Sequence, residues 1–215
     1  MTQIIFALDY DDLGKAREKV RELKEELNFF KIGYQLFTRY GPKAVEMVKE
    51  EGQNVFLDLK LHDIPHICAA ATKNAAETGC YSLTIHIQAG TEALKYAKEA
   101  QVEGFPHLWG VTVLSSIAEG NSIQRARTAA ECNIEGVIVS GKDVEETKTK
   151  FPALEVVVPG IRPSSYITKD DQKRILTPSQ ATEKGADFLV IGRPIRESKD
   201  PIETVRKIKQ EIKDT

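Results

Sequence analysis

Several things are scarce in this chain, and each scarcity removes a class of protein. Cysteine occurs three times in 215 residues, at Cys68, Cys80 and Cys132, an odd number with no Cys-x-x-Cys pair. That usage supports neither a disulfide framework nor a zinc knuckle, and reduced thiols in a cytoplasmic protein are the expectation. No apolar run approaches the length of a membrane-spanning helix. The chain enters "QIIFALDYDDL" without a basic leader or a small-residue cleavage site, so a soluble intracellular location is expected. Charge of one sign is not in excess either: 30 basic against 32 acidic side chains leave −2, which offers no broad surface to nucleic acid or to an anionic membrane. Any anion site must therefore be local. Metal-ligand spacing is thin, since His62 and His66 stand four apart with no third soft ligand nearby, and no metal site is expected.

What is present is an alternation of short apolar runs with amphipathic charged segments. "QIIFALD" is β-branched and apolar, and Leu13, Ala16, Val20, Leu23 and Leu27 then recur at helical spacing, with Asp11 or Asp12 placed to cap. The pattern repeats at "FFKIG" before a helix around 42–50 and at "NVFLDLK" before one around 65–78. It continues through "YSLTIHI", "HLWGVTVL", "EGVIVS", "EVVVPG" and "DFLVIG". Eight such units without a linker predict an α/β fold, the TIM (β/α)8 barrel, because parallel strands need crossovers and closure removes both sheet edges. The rival, an open doubly wound sheet, lacks its Gly-x-Gly-x-x-Gly fingerprint after every strand. One domain over residues 1–215 is expected. "DPIETVRKIKQEIK" closes it, with Asp200 as cap, Pro201 in the first turn and Ile202, Val205, Ile208 and Ile212 as a packing stripe. His107 and Trp109 are assigned to packing.

Within "NVFLDLKLHDIP", Asp58, Lys60 and Asp63 stand at the end of a strand that otherwise reads as buried. Strand alternation puts Asp58 and Lys60 on one face with Phe56, and Val55, Leu57 and Leu59 on the other. Taken alone, Asp-x-Lys is an ordinary exposed ion pair. In a barrel register, however, Asp9 ends the first strand, Lys31 the second, Asp58 and Lys60 the third and His86 the fourth. Ser115, Arg162 and Gly192-Arg193 follow the fifth, seventh and eighth. All converge on the carboxyl-end rim, where barrel enzymes build their sites. His86 either lines that pocket or is an ordinary hydrogen-bonded histidine.

"VVVPGIRPSS" and "FLVIGRPIRES" each place a glycine and an arginine just past one of the last two strands. Either copy alone is a turn. Two at adjacent positions point to an anion site built from backbone N–H groups and guanidinium forks. The intervening "SSYITKDDQKR" reads as a lid from which Gln172 donates an amide to the same anion.

"FALD", "FFKIG", "FLDLKLHDIP", "VTVLSS", "VPGIRP", "DDQKRILTP" and "VIGRPI" together resemble the successive motifs of the orotidine 5′-phosphate decarboxylase family, over nearly the whole chain. The resemblance implies a homodimeric barrel that converts orotidine 5′-monophosphate to uridine 5′-monophosphate with neither metal nor organic cofactor. It implies an alternating array of Lys31, Asp58, Lys60 and Asp63, with Asp63 acting in the neighbouring subunit's site and Lys60 stabilising and protonating the carbanion. It further implies that Asp9 and Lys31 hold the ribose, Ser115 reads the pyrimidine, and Arg162, Gln172, Gly192 and Arg193 grip the phosphate.

One position departs from the pattern. The family usually carries Thr four residues after the last aspartate, where this chain has Ile67, which cannot hydrogen-bond a ribose hydroxyl across the dimer. Sugar-phosphate decarboxylases and hexulose-phosphate synthases of the same superfamily share Asp-x-Lys-x-x-Asp but use magnesium. They carry an acid where "FFKIG" has Lys31, and an ammonium there would repel the cation. From a different class, a nucleotide-binding barrel without catalysis remains, and the intact Lys60 argues against it.

Overall fold

The computed structural model of the chain describes residues 2–113, 121–164, 166 and 176–215. Among them, the strands are β1 (Gln3–Ala7), β2 (Phe29–Gly33), β3 (Asn54–Leu61), β4 (Ser82–His86), β5 (His107–Val111), β6 (Gly136–Ile138), β7 (Glu155–Pro159) and β8 (Phe188–Ile191). They pair in parallel and in chain order, and β8 returns to β1 to close the barrel that the alternation predicts. The helices are α1 (Leu13–Leu23), α2 (Tyr34–Tyr40), α3 (Pro42–Glu50), α4 (Pro65–Glu77), α5 (Thr91–Glu99), α6 (Ser122–Glu131), α7 (Val144–Lys150), α8 (Pro178–Glu183), α9 (Arg193–Arg196) and α10 (Pro201–Lys213). No helix among the described residues is long and apolar enough to cross a membrane.

Local chemistry explains the boundaries. Asp12 caps α1 by accepting the Lys15 N–H at 2.8 Å, and Ala16, Val20 and Leu23 turn one buried stripe inward. Asp200 does the same for α10 through the Glu203 N–H at 2.9 Å, ahead of Pro201. Each such cap contributes about 1 kcal/mol. The sequence pattern predicted one helix after β2, but β2 runs straight into α2. Gly41, at φ 57°, then redirects the chain so that Pro42 can open α3.

Alternation along the strands separates two apolar layers. Phe6, Phe30, Ile32, Val55 and Leu57 face the helices, whereas Ile5, Phe29, Phe56, Trp109, Val157 and Phe188 fill the barrel. Trp109 is the hub of the inner layer, in edge contact with Phe56 at 4.6 Å between ring centroids and tilted against Phe188 at 4.9 Å. Its indole lies over β6, where a Cβ on Gly136 would sit 2.8 Å from Trp109 Cδ1 and 2.6 Å from the Glu155 carbonyl, so only glycine fits.

At the amino ends of the strands this layer carries one carboxylate. Trp109 Nε1–H donates to Glu155 Oε2 at 2.7 Å, His107 Nδ1 lies 3.1 Å from the same oxygen, and the Tyr81 hydroxyl lies 3.5 Å from Oε1. Trp109 therefore packs as expected, while His107 also belongs to a polar cluster that its own neighbourhood in sequence does not announce. The barrel is stoppered below and open at the carboxyl ends.

Candidate active site

The register brings the charged side chains to the open rim as anticipated. Lys31 pairs with Ala7 on one side and Phe56 on the other, and Gly33 with Asp58, so Lys31, Asp58 and Lys60 project into the barrel mouth above Phe56. Lys60 Nζ donates to both Asp58 oxygens at 2.8 Å. Lys31 Nζ lies 3.7 Å from Asp58 Oδ2 and 3.2 Å from Asp9 Oδ1. The result is an unbroken alternation from Asp9 through Lys31 and Asp58 to Lys60. Asp58 and Lys31 are largely buried, at 13% and 12% side-chain exposure, so their pairing is no solvated surface bridge.

The backbone under this array is irregular. β3 loses register with β4 between Leu57 and Leu61, and Lys60 itself lies in the left-handed region at φ 47°. Thr84 of β4 holds this geometry. Its hydroxyl accepts the Lys60 backbone N–H at 2.7 Å and donates to Asp58 Oδ1 at 3.0 Å, so one side chain fixes both members of the pair. Thr84 escapes a search for charged residues; its sole signal in sequence is a hydroxyl at an inward position of the strand beside Asp58.

Two adjoining cavities open here. One, of about 190 Å³, is bounded by Lys31, Asp58 and Lys60 and by the apolar Phe56, Val111 and Ile138. The other, of about 230 Å³, is bounded by Asp9, Gly160, Arg162, Gly192, Arg193 and Arg196. They share Lys31, Pro159 and Val190, so they form one trough with an apolar, charge-alternating end and a cationic end. Arg162 is 93% buried, donating one N–H to the Ile161 carbonyl at 2.9 Å, with its guanidinium 5.9 Å from the Tyr166 ring centre. Arg196 is a third arginine at this end, one turn beyond Arg193, and was not singled out from sequence. Ser115 and Gln172 lie outside the described residues.

Asp63 does not join the array within its own chain. It is exposed and accepts the Ile64 N–H at 2.7 Å. Beside it lies a surface depression bounded by Tyr34, Lys60, His62 and Ile67, and Tyr34, Ile64 and Ile67 expose 53%, 63% and 45% of their surface. Ile67 lines this depression and is absent from the trough walls. His86 is half-buried, with a buried Nδ1 that has no partner among the described residues. Burial, with the nearby His62, Lys60 and Arg125, holds its pKa below the ordinary value. It lines neither cavity of the trough, and its ring stands 5.2 Å from that of His62.

The arrangement suits an elongated ligand: a flat, partly apolar group beside a fixed ammonium, joined to an anion that the arginines receive. Known proteins are similar to the chain over nearly its whole length. A curated orotidine 5′-phosphate decarboxylase of Nitrosococcus oceani is 39% identical, covering 98% of this chain and 97% of that protein. One of Saccharophagus degradans is 38% identical, covering 98% and 94%. The solved structure of orotidine 5′-phosphate decarboxylase from Lactobacillus acidophilus superposes with a TM-score of 0.85 at 28% identity, over 99% of each chain. Residues 2–208 match the model of the orotidine 5′-phosphate decarboxylase / HUMPS family, and the chain belongs to that family.

Proposed function

We propose that this chain decarboxylates orotidine 5′-monophosphate to uridine 5′-monophosphate in pyrimidine synthesis, without metal or organic cofactor. The observation that carries the reading is the Lys31–Asp58–Lys60 alternation at the head of a trough whose other end holds Arg162, Arg193 and Arg196. The pyrimidine occupies the apolar end and the phosphate the cationic end. Heterolysis of the bond from the ring to the carboxylate releases carbon dioxide and leaves the electron pair in the ring plane, where the π-system cannot accept it. A preorganised ammonium is then the main source of stabilisation. Lys60, held by both oxygens of Asp58, meets that carbon and transfers a proton to it as general acid. Asp9 and Lys31 hold the ribose, with Ser115 on the base and Gln172, Gly192 and Arg193 on the phosphate.

The same family name also covers the magnesium-dependent sugar-phosphate branch. Lys31 separates the two readings: its ammonium, 3.7 Å from Asp58, occupies the place where that branch carries an acid and opposes a dication. We further infer a homodimer in which Asp63 completes the partner's array. The exposed Tyr34, Ile64 and Ile67 around Asp63 support an apolar seam at that position. An ultraviolet assay of orotidine 5′-monophosphate consumption in excess chelator tests the function. Full turnover is expected; no consumption, or consumption that chelator abolishes, overturns it.

A further inference from the structure

Arg196 lies in the cationic recess, yet its guanidinium is aimed at carboxylates. Nη1 is 3.5 Å from Asp9 Oδ2, and Nη2 is 3.8 Å from Glu197 Oε1. Its side chain is 24% exposed and folds back over Gly192, where an added Cβ would come within 4.0 Å of Nη1 and 3.7 Å of Asp9 Oδ2. Asp9 is thereby divided between two cations, Oδ2 toward Arg196 and Oδ1 toward Lys31 at 3.2 Å. Glu197 in turn accepts the Tyr166 hydroxyl at 3.2 Å, and the Tyr166 ring faces Arg162. Arg196 is the link between the phosphate end of the trough and the charge alternation that ends at Lys60.

We propose that Arg196 is a positioning residue for the decarboxylation: by engaging Oδ2 of Asp9 it leaves only Oδ1 to Lys31, and so keeps the Lys31 ammonium stationed between Asp9 and Asp58. This rests on the functional reading above. Without Arg196, both Asp9 oxygens are free to chelate Lys31 and draw it from Asp58, whose remaining partners are Lys60 and Thr84. Misplacement of a catalytic array by about 1 Å is worth up to a hundredfold in rate. A phosphate-gripping role makes the opposite demand, a guanidinium turned toward the recess and an effect confined to phosphorylated substrate.

The test compares orotidine 5′-monophosphate with phosphate-free orotidine in Arg196→Met, Arg196→Lys, Asp9→Asn and the double variant Asp9→Asn/Arg196→Met. Arg196→Met should lower kcat about tenfold to a hundredfold, with kcat/KM for both substrates falling by a similar factor. Arg196→Lys should recover most of that loss. In the Asp9→Asn background, Arg196→Met should change kcat by less than about twofold, because a neutral amide has no charge with which to draw Lys31 from Asp58 and so leaves Arg196 no pull to oppose. A loss confined to the phosphorylated substrate, a full loss in the Asp9→Asn background, or an unaffected Arg196→Met enzyme would each overturn the proposal. If Arg196→Met does not fold, Arg196→Gln, which keeps the stem and a neutral amide but loses the charge, carries the same cycle. A wild-type protein that turns over neither substrate overturns the functional reading and this proposal together, whereas an active wild type with an insensitive Arg196 overturns the positioning role alone.

Discussion

At the lower end of the barrel Glu155 takes hydrogen bonds from Trp109 and His107 under a lid of aromatic rings, while at the upper end Asp58 shares its oxygens among Lys60, Lys31 and Thr84 beside an open cavity. Both carboxylates project from barrel strands, and both are well paired. The difference lies in what the partners have left over. The indole N–H of the lower cluster is spent on Glu155, and the rings of Phe29, Tyr81 and Phe188 pack over it, with no cavity beside it comparable to the trough among the described residues. The two ammonium groups of the upper array keep donors free toward the trough. Satisfied polar groups on a closed floor stabilise, whereas the same groups at an open mouth act on a ligand.

The sharpest way to break the comparison is Lys60→Ala. Turnover should fall at least about a thousandfold, the scale of losing a principal electrostatic donor, with the fold retained. A folded variant that keeps more than about a tenth of wild-type turnover removes Lys60 from the chemistry.

A second experiment asks whether the upper end, unlike the lower, is incomplete in one chain. Asp63→Asn and Lys60→Ala, each nearly inactive alone, should regain roughly a quarter of wild-type activity per site after random reassortment, since half the sites in mixed dimers carry neither lesion. Differently tagged chains establish exchange. Mixed dimers as inactive as the parents would confine the array to a single chain.

At the lower end the signs should reverse. Glu155→Ala strips the fully buried Trp109 N–H of its acceptor and should lower unfolding free energy by roughly 2–3 kcal/mol in urea, with kcat within about twofold of wild type. A large loss of turnover at unchanged stability would erase the distinction between the two ends.

The smallest effect concerns pH. The hydrogen bond with Glu155 raises His107 above its ordinary 6.5. Burial pushes the Glu155 carboxyl up, but the bonds from His107 and Trp109 more than reverse that and leave it below 4.5. A raised histidine stabilises the fold fully below its unfolded pKa and ceases to do so as pH climbs through the folded value. A lowered carboxyl stabilises above its unfolded pKa and ceases as pH drops through the folded one. Wild type should therefore exceed His107→Gln most near about pH 5.5, with the margin shrinking by under about 1 kcal/mol toward pH 9, read from urea midpoints. A margin independent of pH would leave His107 neutral in the cluster.

The two ends were unequally legible in the sequence, for the same physical reason. The upper residues Asp9, Lys31, Asp58 and Lys60 each interrupt an apolar run at its carboxyl end, so an eight-unit count suffices to place them on one rim. Glu155 opens its strand and reads as the last polar residue before one, and its link to His107 and Trp109 exists only once β5, β6 and β7 are in register. Thr84 and Arg196 stayed hidden because their role is to hold other side chains: a threonine in a strand and an arginine one turn past Gly192 carry no excess charge pattern of their own. The extra helix α2 was invisible behind the stronger signal of Pro42.

The left-handed backbone of Lys60 has a consequence for how this barrel can change. A side chain bearing a Cβ at φ 47° opposes folding by about 1–2 kcal/mol relative to glycine, and asparagine also tolerates the conformation better than lysine. Local backbone preference thus favours replacing the one residue on which the proposed chemistry depends. Against that preference stands Asp58: glycine or asparagine at position 60 removes the ammonium that both its oxygens hold and leaves a largely buried carboxylate to Lys31 and Thr84 alone. The same ion pair that serves the proposed chemistry therefore holds the strained backbone of Lys60 in place.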